Sequence, residues 1–219
     1  MNILRKTFIL AVGMLFTITA FGYFLWGSTN LNFHVVDSTI SFAATEISKT
    51  ETMNRLKIKA LTAKNYAIEH GYDASHCFLI DMRIPSGKNR FFVYNLEEDS
   101  VETAGLVTHG KGSENELGSL IFSNTPNSNC TSLGKYKIGR SYQGNFGLSY
   151  KLMGLDKTNS KAFGRSVVLH SYCGVPKDEV YPNLICLSEG CPAVSPAFFT
   201  QLKTYMDESK EPILLWIYY

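Results

Sequence analysis

The sequence predicts a mainly β domain with a helix at each end, preceded by an apolar N-terminal segment. Three observations lead to this prediction. Residues 7–26 contain no charged side chain. From residue 76 onward, short runs rich in β-branched and aromatic residues alternate with polar or glycine-rich turns, which is typical of short strands. Apolar residues at helical spacing are confined to residues 54–70 and 196–206.

The N-terminal segment sets the expected compartment. A run of about 20 uncharged residues can cross a bilayer as a helix, and the basic pair Arg5 and Lys6 ahead of it favours export of the residues after the run. Two interpretations remain open for residues 1–27. They are an uncleaved signal anchor, held in the inner membrane by residues 7–26, or a signal peptide cleaved near small residues such as Ala20. Both place the rest of the chain in the periplasm or outside the cell.

The next two segments connect this leader to the main domain. Residues 28–53 are rich in Ser, Thr and Asn and predict a tether with little regular structure. We expect residues 54–219 to form the domain, which begins with a helix over residues 54–70. Gly71 ends this helix. One face of it is apolar, formed by Leu56, Ala60, Ala63 and Ala67.

The remaining elements are predicted from alternation and turn residues. The predicted strands are residues 76–82, 90–96, 101–108, 134–138, 149–153, 166–170 and 213–218, and residues 196–206 form a helix. Polar turns join the first three strands, which indicates an antiparallel meander. The chain of 219 residues has a net charge of only +2. Because it has no dense basic cluster beyond the N-terminus, we exclude nucleic-acid binding. We also expect a monomer.

The residues that point to chemistry are a histidine and a cysteine. His170 ends an apolar strand, and Cys191 follows later within Ser188-Glu-Gly-Cys. A thiol becomes a good nucleophile when it loses its proton, and a nearby imidazole can accept that proton. Gly190 allows a sharp turn beside the sulfur and can leave backbone N–H groups free to stabilise an oxyanion.

A longer set of blocks resembles a known family. The blocks are HGKGS (109–113), FSNTPNS (122–128), SLGKYKIG (132–139), SYQGNFGLSYKLMGLD (141–156), RSVVLH (165–170) and SEGCPAV (188–194). In this order they resemble the murein L,D-transpeptidase catalytic domains of the YkuD type. The strands from residue 76 also fit that family.

The resemblance implies a β-sandwich or barrel-like domain with its active site in a cleft. Cys191 would be the nucleophile and His170 the general base, oriented by the carbonyl of Ser171, with Ser188 and Gly190 completing the motif. The thiolate would attack a peptidoglycan tetrapeptide stem between diaminopimelate and D-Ala and release D-Ala. An amine of a second stem would then form a 3→3 cross-link, or water would complete a carboxypeptidase reaction. No metal or organic cofactor is implied.

Positions within the blocks suggest substrate-binding residues. They are Arg165, Ser123, Asn124, Tyr142 and His109; a structural salt bridge remains an alternative for Arg165 and a structural loop role for His109. Three positions depart from the family's usual residues: Glu189 replaces His, Leu187 replaces Arg, and Ser171 replaces Gly. The carboxylate of Glu189 would either stabilise protonated His170 or disfavour the thiolate.

Other functions stay open at this point. One is a hydrolytic L,D-carboxypeptidase or amidase, and another is a wall-binding module with weak catalysis. A structural zinc site is a further alternative, with His170, Cys173, Cys186 and Cys191 as ligands. Papain-like peptidases are disfavoured because their Cys precedes their His in the chain.

The other four cysteines allow three disulfide connectivities in an exported domain. They are Cys77, Cys130, Cys173 and Cys186. We favour Cys173–Cys186, because this bridge would brace the irregular loop between the base and the nucleophile. The alternatives are four reduced thiols, or exchange that involves Cys191.

Overall fold

The computed structural model describes residues 49–115 and 119–219, of which Arg55–Tyr219 forms one compact unit. The predicted signal or anchor segment and most of the predicted tether lie outside the described residues. The last five residues of the predicted tether are helical and continue into helix α1, residues 49–70. No Gly or Pro interrupts residues 49–70, so nothing stops the helix from starting before residue 54. Among the described residues, no helix is both long and apolar enough to cross a membrane.

Eight strands form one sheet in the described part of the chain. They are β1 (His76–Asp81), β2 (Phe91–Asn95), β3 (Ser100–Gly105), β4 (Gly134–Gly144), β5 (Gly147–Gly154), β6 (Val168–Ser171), β7 (Ala193–Val194) and β8 (Leu214–Tyr218). Their order is β3-β2-β1-β8-β4-β5-β6-β7. The predicted meander of β1, β2 and β3 is confirmed, since both of its pairings are antiparallel. The C-terminal β8 pairs parallel with β1 and antiparallel with β4, and so joins the meander to the rest of the sheet.

The two ends of the strand order meet, which makes the sheet barrel-like. Val107, just beyond β3, forms a bridge with Val194 of β7. The N–H of Thr108 donates to the carbonyl of Ala193 at 2.9 Å. Strand β7 is the last strand in the order, so these contacts join the two edges of the sheet. They also pair backbone groups that would be exposed at an open edge.

Each face of the sheet is covered by its own apolar cluster. Along β1, Phe78 and Ile80 point into one cluster, whereas Cys77 and Leu79 point into the other, as the two-residue period of a strand requires. The first cluster includes Phe198, Phe199 and Leu202 of helix α2, Pro196–Glu208. The second includes Leu56, Ala60 and Ala63 of α1.

The glycine-rich stretch after residue 138 forms regular structure that the sequence did not predict. Strand β4 continues to Gly144 and pairs with β5 in a hairpin, after an irregularity between Ile138 and Ser141. Gly147 has a φ of +75°, a conformation that glycine adopts without strain. This hairpin brings Phe146 onto the ring of His170.

Candidate active site

The strand register brings the candidate nucleophile beside the candidate base. Strands β6 and β7 are parallel and pair His170 with Ala193. The same register, followed two residues back, places Cys191 beside Val168, and the N–H of Val168 does point to Cys191 Sγ at 3.5 Å. In extended chains alternate residues share a face, so the thiol and the imidazole lie on one face of the sheet, about 7 Å apart along the strand direction.

The hydrogen bond of His170 Nδ1 fixes which ring nitrogen is basic. Nδ1 lies 2.9 Å from the carbonyl oxygen of Ser171, as the resemblance implies. A carbonyl only accepts, so Nδ1 carries the hydrogen and Nε2 keeps its lone pair. Phe146 stacks on the ring, with centroids 4.3 Å apart. Burial lowers the pKa of His170 below its ordinary value, although the Ser171 carbonyl opposes this effect. The ring is therefore neutral at pH 7 and able to accept a proton.

The thiol is also neutral in this structure. Burial raises the pKa of Cys191, while the Val168 N–H and the charge of Arg165 oppose that rise. The thiol donates weakly to the Ser166 carbonyl at 3.8 Å. Within the described residues no direct hydrogen bond joins Sγ to His170, so the pair is a thiol and a neutral imidazole, not an ion pair. Such contacts are often long in ligand-free enzymes and shorten when substrate binds.

Hydroxyl groups hold the turn that carries the thiol. Ser188 Oγ donates to the Cys191 carbonyl at 2.7 Å and accepts the N–H of Gly190 at 3.1 Å. Thr108 Oγ1 donates to the same carbonyl at 3.1 Å. The N–H of Gly190 itself is therefore occupied by Ser188 and is not available to an oxyanion. Cys191 has a backbone N–H without a hydrogen-bond partner in the described part of the chain.

Gly190 is required by its surroundings. Its φ is +108°, and a Cβ at this position would lie 2.8 Å from the carbonyl oxygen of Cys130. Arg165 packs against the same point, donating to the carbonyls of Cys130 at 2.6 Å and Ser123 at 2.9 Å. Arg165 thus binds carbonyls and not a carboxylate, so the salt-bridge alternative does not apply. Its positive charge nevertheless lowers the pKa of the Cys191 thiol.

The HGKGS block forms a scaffold for this turn, a role that sequence reasoning missed. The N–H of Ser188 donates to the His109 carbonyl at 2.9 Å, and the N–H of Lys111 donates to the Ser188 carbonyl at 2.7 Å. A Cβ on Gly110 would lie 2.1 Å from the carbonyl oxygen of Asn129. The two glycines of the block were the signal, because such close backbone approach excludes any side chain.

The ring of His109 is buried within the same scaffold. Its Nδ1 accepts a hydrogen bond from Arg90 Nη2 at 2.9 Å. Nε2 lies 3.5 Å from Glu114 Oε1, without a hydrogen bond between them. Burial, and then the charge of Arg90, lower the pKa of His109 to about 4. These contacts favour the structural loop role over substrate binding.

Two more of the suggested substrate-binding residues are committed to loop contacts. Asn124 Nδ2 donates to the Lys157 carbonyl and to Ser160 Oγ, both at 3.1 Å, and its Oδ1 accepts the N–H of Lys161. The hydroxyl of Ser123 accepts the N–H of Thr125. Asn124 therefore braces a loop, and its contact with substrate stays a prediction.

Tyr142 lies in line with the base. It pairs with Ser149 across β4 and β5, and Ser149 pairs with His170 across β5 and β6. Side chains that face each other across antiparallel strands share a face. The ring of Tyr142 is partly exposed on the face that carries His170.

Of the two roles considered for Glu189, only a weak effect against the thiolate is supported. Its carboxylate forms an exposed ion pair with Lys111 Nζ at 2.6 Å. Glu189 raises the pKa of Cys191, but its effect is the smallest among those that act on this pKa. The carboxylate that replaces the usual histidine thus slightly disfavours the thiolate.

All five cysteines are free thiols, so the favoured Cys173–Cys186 bridge is not formed. After β6 ends at Ser171, the loop over residues 172–190 contains no helix or strand, as predicted. Packing holds it instead. The N–H groups of Val180 and Tyr181 donate to the Gly87 carbonyl at 2.9 and 3.0 Å. Over the described residues, no three His, Cys, Asp or Glu side chains converge on a possible metal position, which includes the four of the zinc alternative.

Comparison with known proteins places this chain in a family. The family model described as L,D-transpeptidase catalytic domain matches residues 48–218. A comparison with curated proteins finds no match.

Three solved structures resemble the chain at low identity. The helical cell shape determining protein Pgp2 from Campylobacter jejuni is 12% identical, with a TM-score of 0.43, and covers 65% of this chain and 47% of that one. The Ldtfm-avibactam carbamoyl enzyme is 11% identical, with a TM-score of 0.41, covering 66% of this chain and 49% of that one. An L,D-transpeptidase from Xylanimonas cellulosilytica is 14% identical, with a TM-score of 0.36, covering 70% of this chain and 68% of that one. The chain spans about half the length of the first two. Through residues 48–218, the chain belongs to the L,D-transpeptidase catalytic domain family.

Proposed function

We propose that this protein is a peptidoglycan L,D-transpeptidase that forms a thioester between Cys191 and a tetrapeptide stem. The observation that carries the proposal is the Ser171 carbonyl on His170 Nδ1, which leaves Nε2 as a base on the face that carries the thiol. Membership of the L,D-transpeptidase catalytic domain family supports a peptidoglycan substrate, and we take the stem to end in diaminopimelate–D-Ala, as the sequence resemblance implies.

Acylation begins with transfer of the Cys191 proton to His170 Nε2. The sulfur attacks the diaminopimelate carbonyl, an S–C bond forms, and the carbonyl electrons move to oxygen. The unpartnered N–H of Cys191 and the positive charge of Arg165 are the groups available to stabilise that oxyanion. When the intermediate collapses, the C–N bond to D-Ala breaks, and the amine leaves with the proton held by His170.

Deacylation uses the same groups in reverse. A side-chain amine of a second stem attacks the thioester, His170 takes its proton, and the C–S bond breaks to release the cross-linked product. Water at the same position would instead release a tripeptide stem. Because amine and water share this chemistry, product analysis must distinguish transpeptidase from carboxypeptidase.

We place the domain outside the cytoplasm, where its substrate lies. The support is the uncharged run of residues 7–26 behind two basic residues. Mass spectrometry of the mature N-terminus distinguishes the retained anchor from the cleaved signal peptide. Recovery of the intact chain from the cytosol would contradict both interpretations.

The test is incubation of purified protein with disaccharide tetrapeptides, followed by mass spectrometry. The wild type should release D-Ala and form a 3→3 linked dimer. Cys191→Ala should abolish both products while circular dichroism stays unchanged. Unchanged turnover in Cys191→Ala would overturn the assignment, and tripeptide without dimer would favour the carboxypeptidase.

The base is tested in the same assay. His170→Gln should lower kcat/KM by roughly 10²–10⁴-fold. The neutral ring is the active form and the pKa of His170 is lowered, so the wild-type rate should rise with pH along a limb whose midpoint lies below 6.5. That limb should disappear in His170→Gln.

A further inference from the structure

An unpaired ammonium lies on the face of the sheet that carries the thiol. Lys151 is exposed in β5 and pairs with Val168 of β6. Val168 is the residue whose N–H points to Cys191 Sγ. The neighbours of Lys151 in β5, Tyr150 and Leu152, point into the apolar cluster on the opposite face. By strand alternation, Lys151 therefore shares its face with His170 and Cys191.

Two aromatic rings hold the Lys151 side chain without neutralising it. Its Nζ lies 5.3 Å from the ring centroid of Tyr142 and 5.2 Å from that of Phe163. A ring face attracts a cation but accepts none of its strong hydrogen bonds. Among residues 49–115 and 119–219, no carboxylate forms an ion pair with Lys151. The three N–H donors of the ammonium remain available to a ligand.

The other cations near the site already have protein partners. Arg165 donates to two backbone carbonyls, and Lys111 pairs with Glu189. Lys151 is therefore a cation on the face of the thiol whose hydrogen bonds are not used within the described residues. Neighbouring strands lie about 4.8 Å apart, so Lys151 of β5 is roughly 10 Å from Cys191 across β6, a span that one extended residue of a bound peptide and its side chain can cover.

We propose that Lys151 binds a carboxylate of the acyl-donor peptide next to the bond that is cleaved. The inference rests on the proposed function, whose substrate has two such carboxylates: the C-terminal one of D-Ala and the side-chain one of diaminopimelate. Tyr142 and Phe163 keep the ammonium in position, which reduces the entropy lost when the carboxylate binds. The site thus prefers donors with a free carboxylate over amidated donors.

The experiment compares three substrates on four proteins. The substrates are the tetrapeptide, its D-alaninamide and its diaminopimelic amide. The proteins are the wild type, Lys151→Met, Lys151→Arg and a control, Lys137→Met, which removes a cation from neighbouring β4. Lys151→Met keeps the apolar stem on the rings and should lower kcat/KM for the free acid by about 5- to 30-fold, mainly through KM. Lys151→Arg should recover most of that loss, and Lys137→Met should match the wild type.

The rates with the free acid and with the two amides show which of the two substrate carboxylates Lys151 binds. The wild type should prefer the free acid over one of the two amides, and Lys151→Met should lose that preference. A loss of structure would slow all three substrates equally, so it cannot imitate this result. Alkylation of Cys191 by neutral iodoacetamide should stay unchanged in every variant.

The outcomes separate this inference from the proposed function. If the wild type turns over the tetrapeptide and Lys151→Met keeps the same acid-to-amide preference, the carboxylate site is wrong and the transpeptidase proposal stands. If the folded wild type turns over none of the three substrates although Cys191 is alkylated, the proposed function itself is wrong.

Discussion

Two buried histidines of this chain differ in which ring nitrogen is engaged, and this difference decides what each can do. His170 Nδ1 faces the Ser171 carbonyl, so its Nε2 is basic. His109 Nδ1 accepts from Arg90, so its Nε2 carries the hydrogen. Only His170 then has a lone pair for a thiol proton. The sequence could suggest both residues but not their tautomers, because the partner of His109 is a side chain 19 positions earlier, brought close by folding.

The lowered pKa of His109 predicts loss of stability in acid. Its pKa is about 4 in the folded protein, below the value of about 6.5 expected in the unfolded chain. Between these values the unfolded state binds the extra proton. This stability is therefore complete above pH 6.5 and is lost as the pH falls towards 4, by at most about 3 kcal/mol.

Urea unfolding at pH 7, 5.5 and 4 measures this effect. His109→Asn keeps an acceptor for Arg90 but cannot take up a proton. It should be less stable than the wild type at pH 7, and the difference should shrink as the pH falls. A constant difference across the three pH values would show that His109 does not titrate as its burial requires.

At the scale of elements, the segment over residues 109–113 determines where the turn that carries Cys191 lies. Gly110 forms a bridge with Ser188, and there is no room for a Cβ between it and the Asn129 carbonyl. Gly110→Ala should therefore lower the free energy of unfolding by about 1–3 kcal/mol. Turnover should fall further than stability explains, because a shift of Ser188 moves the thiol and catalytic geometry tolerates only small errors.

Gly164→Ala is the matched control for Gly110→Ala. Its new Cβ would meet only the Lys161 carbonyl oxygen, at an ordinary 3.7 Å. Thermal unfolding and D-Ala release should both stay close to the wild type. If Gly110→Ala behaves like this control, the segment over residues 109–113 is not the scaffold of the turn.

Strands with a clear pattern of apolar residues were predictable from the sequence. Elements that form only through contacts with residues distant in sequence were not. The meander and the C-terminal strand carry runs of apolar and aromatic residues, which the pleated sheet favours. Strand β7 has only two residues, Ala193–Val194, too few to show any period. It exists because β6 and Val107 pair with it. The role of Ser188 was missed for the same reason, since its partners His109 and Lys111 are distant in sequence.

For the whole molecule, α1 is the element whose burial the sequence predicted best. The four predicted core residues Leu56, Ala60, Ala63 and Ala67 are at most 2% exposed. Three of them join the cluster over β1, β2 and β8. A partly buried ion pair adds to this contact, since Arg55 Nε lies 2.9 Å from Asp81 Oδ2, and Asp81 is fully buried. From Arg55 onward the helix therefore belongs to the compact unit and covers the meander.

This packing predicts that α1 and the sheet unfold together. Leu56→Ala should lower the free energy of unfolding by about 2–5 kcal/mol, because it leaves a cavity between α1 and the sheet. Leu61→Ala is the control on the same helix, since Leu61 is 63% exposed, and its effect should stay within about 0.5 kcal/mol. Urea unfolding followed by far-UV circular dichroism and by Trp216 fluorescence, a residue packed on this cluster, should give one coincident transition for each protein.

The same substitution separates stability from catalysis. Leu56 packs against β1, β2 and β8, whereas the thiol lies at β6 and β7, at one end of the strand order. At temperatures where Leu56→Ala is still folded, its rate of D-Ala release should therefore equal that of the wild type. If the helical signal of Leu56→Ala were instead lost before Trp216 fluorescence changes, α1 would be an independently melting appendage, and the sheet would hold the active site without it.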